Sequence, residues 1–498
     1  MLQLNYKLLD ELNYQGYLLK DAPERIIQFG EGNFLRGFAD YFVDCLNERT
    51  GFNGKVLVVQ PIENGMSDEI NKQQGLYTLY LRGTENERKM NRRRVVSSIS
   101  RCINPYTQWE TLLDTASNED LRVVISNTTE QGIAYDPACK FSDCPQSSFP
   151  GKLTRYLYER YVKMSGDIEK GFLILSCELI DNNGSELKKC VLAYADQWNL
   201  NKGFIQWVES ANIFCNTLVD RIVTGYPAKE ALLLNLENGY EDSLMDTAEI
   251  FGLWVIEGPE DIAEVLKLEN SGLPILICQD HLPYKKRKVR ILNGAHTAMV
   301  PAAYLQGFDN VRDCVNDPLI LKFMLKFLEE EVVPTLPFPK GELEEFIASV
   351  IDRFKNPYID HQLLSISLNS VSKWRTRVLP TILDYVDQYG ELPKAAVFSF
   401  AALMAFYSGE ILNGDSIQAY RGGIPYFVKD SLEILTAFFQ SSKKTLGIYV
   451  EEICRNTMLW GRDLSNLTGF EQKVKEYLTT IRSEGMCRAM ERLLEENE

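Results

Sequence analysis

Three polar side chains in the stretch KVRILNGAH (Lys288, Asn293 and His296) stand beside Ile291 and Leu292 in a chain with only three histidines. An amide N–H₂ can polarise a carbonyl oxygen and an imidazole can orient it. A lysine can give or take the proton as the carbonyl becomes a hydroxyl. On an α-helix advancing about 100° per residue, His296 falls about 80° and Asn293 about 140° round from Lys288, so all three share one side. For that role Lys288 has to titrate far below its free value of about 10.4. Burial and the like charges of Lys285, Lys286, Arg287 and Arg290 both act in that direction. The same residues also read as a basic solvated loop running into a helix with an ordinary core histidine. Spacing alone leaves both readings open.

Such a set has to be held by a scaffold. Upstream, RIIQFG, KVLVVQPI, LRVVISNTT, GFLILSCELI and LPILICQD are short β-rich runs, several nearly continuous in apolar residues, as in parallel strands covered on both faces. Amphipathic patterns such as GKLTRYLYERYVKM and ELKKCVLAYADQW lie between them. Strand alternating with helix predicts a doubly wound, Rossmann-like α/β sheet. After about residue 282 apolar residues recur at helical spacing, so the second half is expected to be mostly α-helical. The expected domains are residues 1–281, binding the dinucleotide, and 282–498, carrying the substrate chemistry.

The loop RIIQFGEGNFLRGF places Gly30 and Gly32 between a strand and the helical pattern FADYFVDCLNE. A dinucleotide fold wants glycine there so that the chain turns sharply and the backbone approaches a pyrophosphate at a helix N-terminus. Leu35 stands where the third glycine of G-x-G-x-x-G belongs, with Gly37 two residues later; alone, the motif is also an ordinary glycine-rich turn. Phe29, Gly30, Gly32, Asn33 and Phe34 are the expected cofactor contacts. Glu63, after the second strand, is a candidate for the ribose hydroxyls, although an exposed loop glutamate is the plainer reading. Thr129 and Glu130 follow a strand at the end where a Rossmann site gathers and are expected near the nicotinamide. These residues leave NAD against NADP open.

Fifty-three basic against sixty-nine acidic residues give a net charge of −16, which argues against a nucleic-acid partner, since that needs a basic surface. The longest nearly apolar stretch, AAVFSFAALMAFYS, is too short to span a bilayer and fits a buried helix, so no membrane partner is expected. The N-terminus does not read as a secretory signal. Eleven scattered cysteines fit a reducing cytoplasm, and Cys139 with Cys144 lacks the second pair or nearby histidine of a zinc site.

KVRILNGAH resembles the K-x-x-x-x-N-x-x-H signature of the polyol-specific long-chain dehydrogenases, the mannitol dehydrogenase family. FGEGNFLRGF is similar to that family's nucleotide loop and VDRIV (Val219–Val223) to another of its elements. The resemblance runs from about residue 24 to about residue 480. It implies an NAD-dependent enzyme without a metal, in which Lys288 is the general acid/base and Asn293 and His296 bind the reacting oxygen. SNTTEQGI, CELIDNNG, NTLVDRIVTGYP, RKVRILNGAHTAMVP and RFKNPYIDHQLLSI narrow the likeness to members that interconvert a ketouronate and an aldonate. Members acting on an epimeric ketouronate or on mannitol are the nearest rivals, and a non-catalytic dinucleotide sensor is the rival of another class. The oligomeric state, monomer or small homo-oligomer, is open.

One departure stands out. Many relatives carry C-D-N where this chain has Cys177–Glu178–Leu179, so Leu179 replaces a second amide donor, and Glu178 is a candidate to take over part of its task. A uronate also brings a carboxylate, which calls for a cation. Lys373, Arg375 and Arg377 in SKWRTRVLP are candidates, arginine being preferred for its two-pronged grip, and His361 could meet a sugar hydroxyl.

Overall fold

The apolar runs at the start of the chain become parallel strands. The computed structural model describes residues 1–85, 88–128 and 131–496. Its first eight strands are β1 (Glu24–Phe29), β2 (Lys55–Val59), β3 (Tyr77–Glu85), β4 (Arg88–Val96), β5 (Ile99–Ile103), β6 (Val123–Ser126), β7 (Leu173–Ser176) and β8 (Ile213–Cys215). Six of them form one sheet in the order β5-β2-β1-β6-β7-β8, and every neighbouring pair is parallel. Counted along the chain within this sheet, the order is the 3-2-1-4-5-6 of doubly wound dinucleotide folds, with its reversal between β1 and β6.

Side chains alternate across these strands, and both faces are dry. Ile26, Val56, Val58, Val123 and Ile125 pack on one side with Phe38, Phe42 and Trp254. Ile27, Phe29, Leu57, Val59 and Val124 pack on the other with Leu153, Tyr156 and Leu187. Two helices on the second face, Phe149–Lys163 and Asn183–Gln197, coincide with the amphipathic patterns read from the sequence.

LPILICQD does form a strand, Ile275–Cys278, but outside the main sheet. It pairs in parallel with Leu253–Glu257, which is antiparallel to Thr217–Asp220. A third small sheet joins Asp246–Glu249 to β3 and β4.

The structure divides into one unit of Met1–Arg82 with Met90–His281 and another of Gly83–Lys89 with Leu282–Glu498. The second is dominated by helices. Lys394–Phe406, the stretch read as a buried helix, is covered along nearly its whole length. VKEYLTTIRSEGMCRAMERLLEE is two helices, broken where Gly485 takes a φ of +87°. An antiparallel sheet of Ile411–Asn413, Ser416–Arg421 and Ile424–Lys429 interrupts the helices. Among the described residues no helix is long and apolar enough to cross a membrane.

Candidate active site

In the first unit the chain turns from β1 into a helix at the point where the strand order reverses. Gly30 has a φ of +127°, and a Cβ there would lie 2.9 Å from the Asn127 carbonyl oxygen and 3.0 Å from Leu35 Cδ1. Both conformation and space exclude a side chain. Gly32 is different: a Cβ on it would meet nothing within 4 Å. Its backbone faces open space at the start of the helix, where unsatisfied N–H groups favour an anion. The glycine loop therefore fits a dinucleotide pyrophosphate.

The missing third glycine is answered by Gly37. A Cβ there would come within 2.9 Å of Val223 Cγ1, in the VDRIV element. Arg221 of the same element donates to the Gly37 carbonyl (2.9 Å) and to those of Ile250 and Phe251, with its guanidinium over Tyr41 and Phe42. Residues Arg36–Asp40 form a π turn, which leaves such carbonyls available.

Two residues beneath the loop were not singled out from the sequence. Gln28 donates to the Gly30 carbonyl (3.0 Å) and to Asp40 (3.2 Å), and buried Arg36 donates to the Glu31 carbonyl and to Asn33 Oδ1, both at 2.7 Å. Burial pushes Asp40 and Asp246 up to about 7. The signal for Arg36 was present, since it stands within the quoted string FGEGNFLRGF.

Phe29 is buried at the end of β1, Asn33 is held by Arg36, and Phe34 stacks on Phe38 with centroids 5.1 Å apart. The Glu63 side chain is exposed while its carbonyl accepts from Gln60 (2.9 Å). Thr129 and Glu130 lie outside the described residues. Glu178 is buried and accepts three hydrogen bonds, from the Thr128 N–H and hydroxyl (3.1 Å each) and from Ser126 (3.0 Å). It ties β7 to the loop after β6. With its oxygens engaged as acceptors it is placed as a strut, not as a replacement amide donor. Leu179 is 63% exposed.

In the second unit, KVRILNGAH lies in a continuous helical run: Leu282–Lys288, a π turn over Val289–Asn293, then Gly294–Gln306. The Gly294 N–H reaches back five residues to the Val289 carbonyl. A turn wider than an α turn rotates each residue less, so Asn293 and His296 come round closer to the line of Lys288 than α geometry gives. Most of the basic run is paired within this unit: Arg287 with Glu342, and Lys286 and Arg290 with Asp384 at 2.9 and 3.0 Å. It is therefore packed helix, not solvated loop. Lys288 is half-buried. Among the described residues the Asn293 amide has no hydrogen-bond partner, while its carbonyl accepts from Thr297 (2.9 Å).

His296 stacks on Phe354 and meets His361 edge-on at 5.9 Å. The residue is partly exposed, yet Nε2 is buried with no hydrogen-bond partner among the described residues. Burial first, then the charges of His361, Arg353, Arg377 and Lys373, push it down to about 3, so the ring is neutral at physiological pH. His361 is lowered by burial and Arg353. Lys373 and Arg377 are four residues apart on the helix Ser370–Arg377, on one face. Arg375 lies on the opposite, exposed face, with its guanidinium against Gly461. Helix phase thus favours Arg377 over Arg375 as the arginine turned toward the histidines. Phe354 and Arg353 were missed in the sequence as partners of His296, because they lie some 60 residues on in another helix, Lys340–Phe354.

The family model for the mannitol dehydrogenase Rossmann domain matches residues 24–270, and that for the mannitol dehydrogenase C-terminal domain matches 280–482. Curated proteins named altronate oxidoreductase are similar throughout. That of Pectobacterium atrosepticum is 45% identical over 97% of this chain and 99% of its own, and that of Escherichia coli 45% over 96% and 99%. Among solved structures, a substrate-free D-sorbitol dehydrogenase shares the fold at a TM-score of 0.81 and 22% identity, covering 98% of this chain and all of its own. A ternary complex of Pseudomonas fluorescens mannitol 2-dehydrogenase with NAD and D-mannitol does so at 0.67 and 23%, covering 99% and 100%. With both domain models matched in order and relatives at 45% identity along its length, the chain belongs to the mannitol dehydrogenase family.

Proposed function

We propose that the chain is an NAD-dependent oxidoreductase that interconverts D-tagaturonate and D-altronate in the cytoplasm. The names of its 45%-identical relatives support the substrate pair, and the NAD held by the mannitol 2-dehydrogenase neighbour supports the cofactor. The observation that carries the reading is the grouping of Lys288, Asn293 and a neutral His296 along one π-turned helix.

When bound, NAD exchanges a hydride with the carbon that alternates between alcohol and ketone. The chain supplies the rest. The loop at Gly30 and Gly32 offers backbone N–H groups to the pyrophosphate. The Asn293 amide donates to the reacting oxygen and stabilises the charge that develops on it. His296, being neutral, adds one hydrogen bond to that oxygen and fixes its direction. Lys288 takes the hydroxyl proton in oxidation and returns it in reduction.

Adding D-tagaturonate to the protein with NADH tests this directly: NADH absorbance should fall, and faster than with the epimeric ketouronate or with fructose as the neutral ketose. No fall with any of them would overturn the reading. A faster fall with the epimer would reassign the substrate.

A further inference from the structure

Resting on the reading of the second unit as the half that handles substrate, we propose that Arg377 is a specificity-determining residue that grips the carboxylate of the sugar acid, in an anion pocket completed by Lys373 and His361. The Arg377 guanidinium is half-buried, and its one hydrogen bond among the described residues, to Thr297 Oγ1, is long at 3.4 Å. Thr297 Oγ1 in turn donates to the carbonyl of Asn293 (2.9 Å), one helical turn back, which places this cation close to the residues read as binding the reacting oxygen. A guanidinium carries five donors in a fixed fork, and among the described residues no carboxylate pairs with this one.

Lys373, one turn earlier, donates to the Ile366 carbonyl (2.8 Å) and feels the charge of Arg377. Arg353 adds a third positive charge that acts on both histidines. Among the described residues, Asp430 also acts on Lys373. Asp360 acts on His361 from an exposed position, and Asp430 is engaged by the Tyr407 hydroxyl (2.7 Å). The charges of Arg377, Lys373 and Arg353 all act on a buried imidazole nitrogen that has no partner among the described residues. A neutral polyol gives those cations nothing in return for leaving water, whereas a carboxylate matches the arginine fork with two parallel, charge-assisted hydrogen bonds.

The test compares the full-length protein with Arg377→Gln and Arg377→Lys. kcat/KM is measured with NADH for D-tagaturonate and for the neutral ketose bearing a hydroxymethyl group in place of the carboxylate. Calorimetric titration with D-altronate is run alongside, and thermal midpoints check that each variant folds. The ketouronate-to-ketose ratio of kcat/KM should fall roughly 10- to 100-fold in Arg377→Gln, the weight of one or two charge-assisted hydrogen bonds. Arg377→Lys should recover only part of it. An unchanged ratio, or a wild-type protein that prefers the neutral ketose, overturns the inference and leaves the oxidoreductase reading standing. If no ketose is reduced but D-altronate binds and Arg377→Gln abolishes binding, the inference stands and the oxidoreductase reading falls. Loss of neither binding nor turnover in the variants overturns it outright.

Discussion

The imidazole of His296 lies almost flat on the ring of Phe354, with centroids 4.1 Å and planes 16° apart. This stack covers one face of the ring, and neighbouring cations disfavour a second proton. The histidine therefore stays uncharged down to about pH 3. With only three histidines in the chain, its NMR signals can be assigned by substitution. They should be flat from about pH 5 to 9, since an unperturbed histidine titrates near 6.5. Phe354→Leu should raise the apparent pKa toward that value. A wild-type His296 titrating near 6.5 would show that the ring is solvated. Because the folded value lies below the unfolded one, the contribution to stability is complete above about pH 6.5 and is lost as pH falls toward about 3.

Replacing Lys288 with alanine removes the one group in the set that can carry a proton across the reaction. Turnover should fall by about 10²- to 10⁴-fold, the usual worth of a positioned acid/base. Binding of NADH, followed by its fluorescence, should persist, since the glycine loop proposed to hold it is in the other unit. Near-normal turnover in this variant ends the mechanism. Loss of cofactor binding together with turnover would instead mark Lys288 as structural.

Much of this arrangement could be read from the chain, for identifiable reasons. β2, β6 and β7 are buried on both faces and read as nearly continuous apolar runs, and β1 carries the buried Ile26, Ile27 and Phe29. The outermost strands β5 and β8 were not picked out, since Ser100 and Arg101 break the apolar run of ISRCI and IFC is only three residues long. The hairpins of the second unit did carry a signal. Asn413–Gly414 and Gly422–Gly423 are turn dipeptides, and both Gly422 and Gly423 have positive φ, as a two-residue hairpin loop needs. Helical texture on either side obscured it. The π turn at Val289–Asn293 has no counterpart in hydrophobic spacing, so α geometry set Asn293 too far round from Lys288. Arg375 and Arg377 are equal in composition and differ only in helix phase, which became visible once the helix boundaries and the partner of Arg377 were known.

Gly30 and Gly32 should respond differently to the same substitution. Gly30→Ala forces a left-sided φ and a contact with the Asn127 carbonyl, so it should cost about 1–3 kcal/mol of stability and lower the thermal midpoint. Gly32→Ala meets nothing within the protein, so its midpoint should stay near wild type. Its added methyl would occupy the approach to the backbone, and NADH affinity should weaken. Equal NADH affinity in Gly32→Ala and wild type would move the pyrophosphate away from this loop.

Glu331 is buried and accepts from the backbone N–H groups of Ala395 (2.6 Å) and Ala396 (2.8 Å), at the start of the buried helix Lys394–Phe406. Burial raises it to about 8. The folded value then exceeds the unfolded value of about 4.3, so its proton-linked stability is complete below about pH 4.3 and is lost as pH rises through about 8. Glu331→Gln keeps one backbone hydrogen bond and cannot ionise. At pH 5 it should be less stable than wild type by about 1–3 kcal/mol, the cost of one unsatisfied buried donor. The gap should narrow steadily by pH 8, because only the wild type loses stability over that range. Thermal midpoints of the two proteins measured in parallel across that window decide the matter. A constant gap would mean that Glu331 is already ionised at pH 5, with the helix N-terminus outweighing burial.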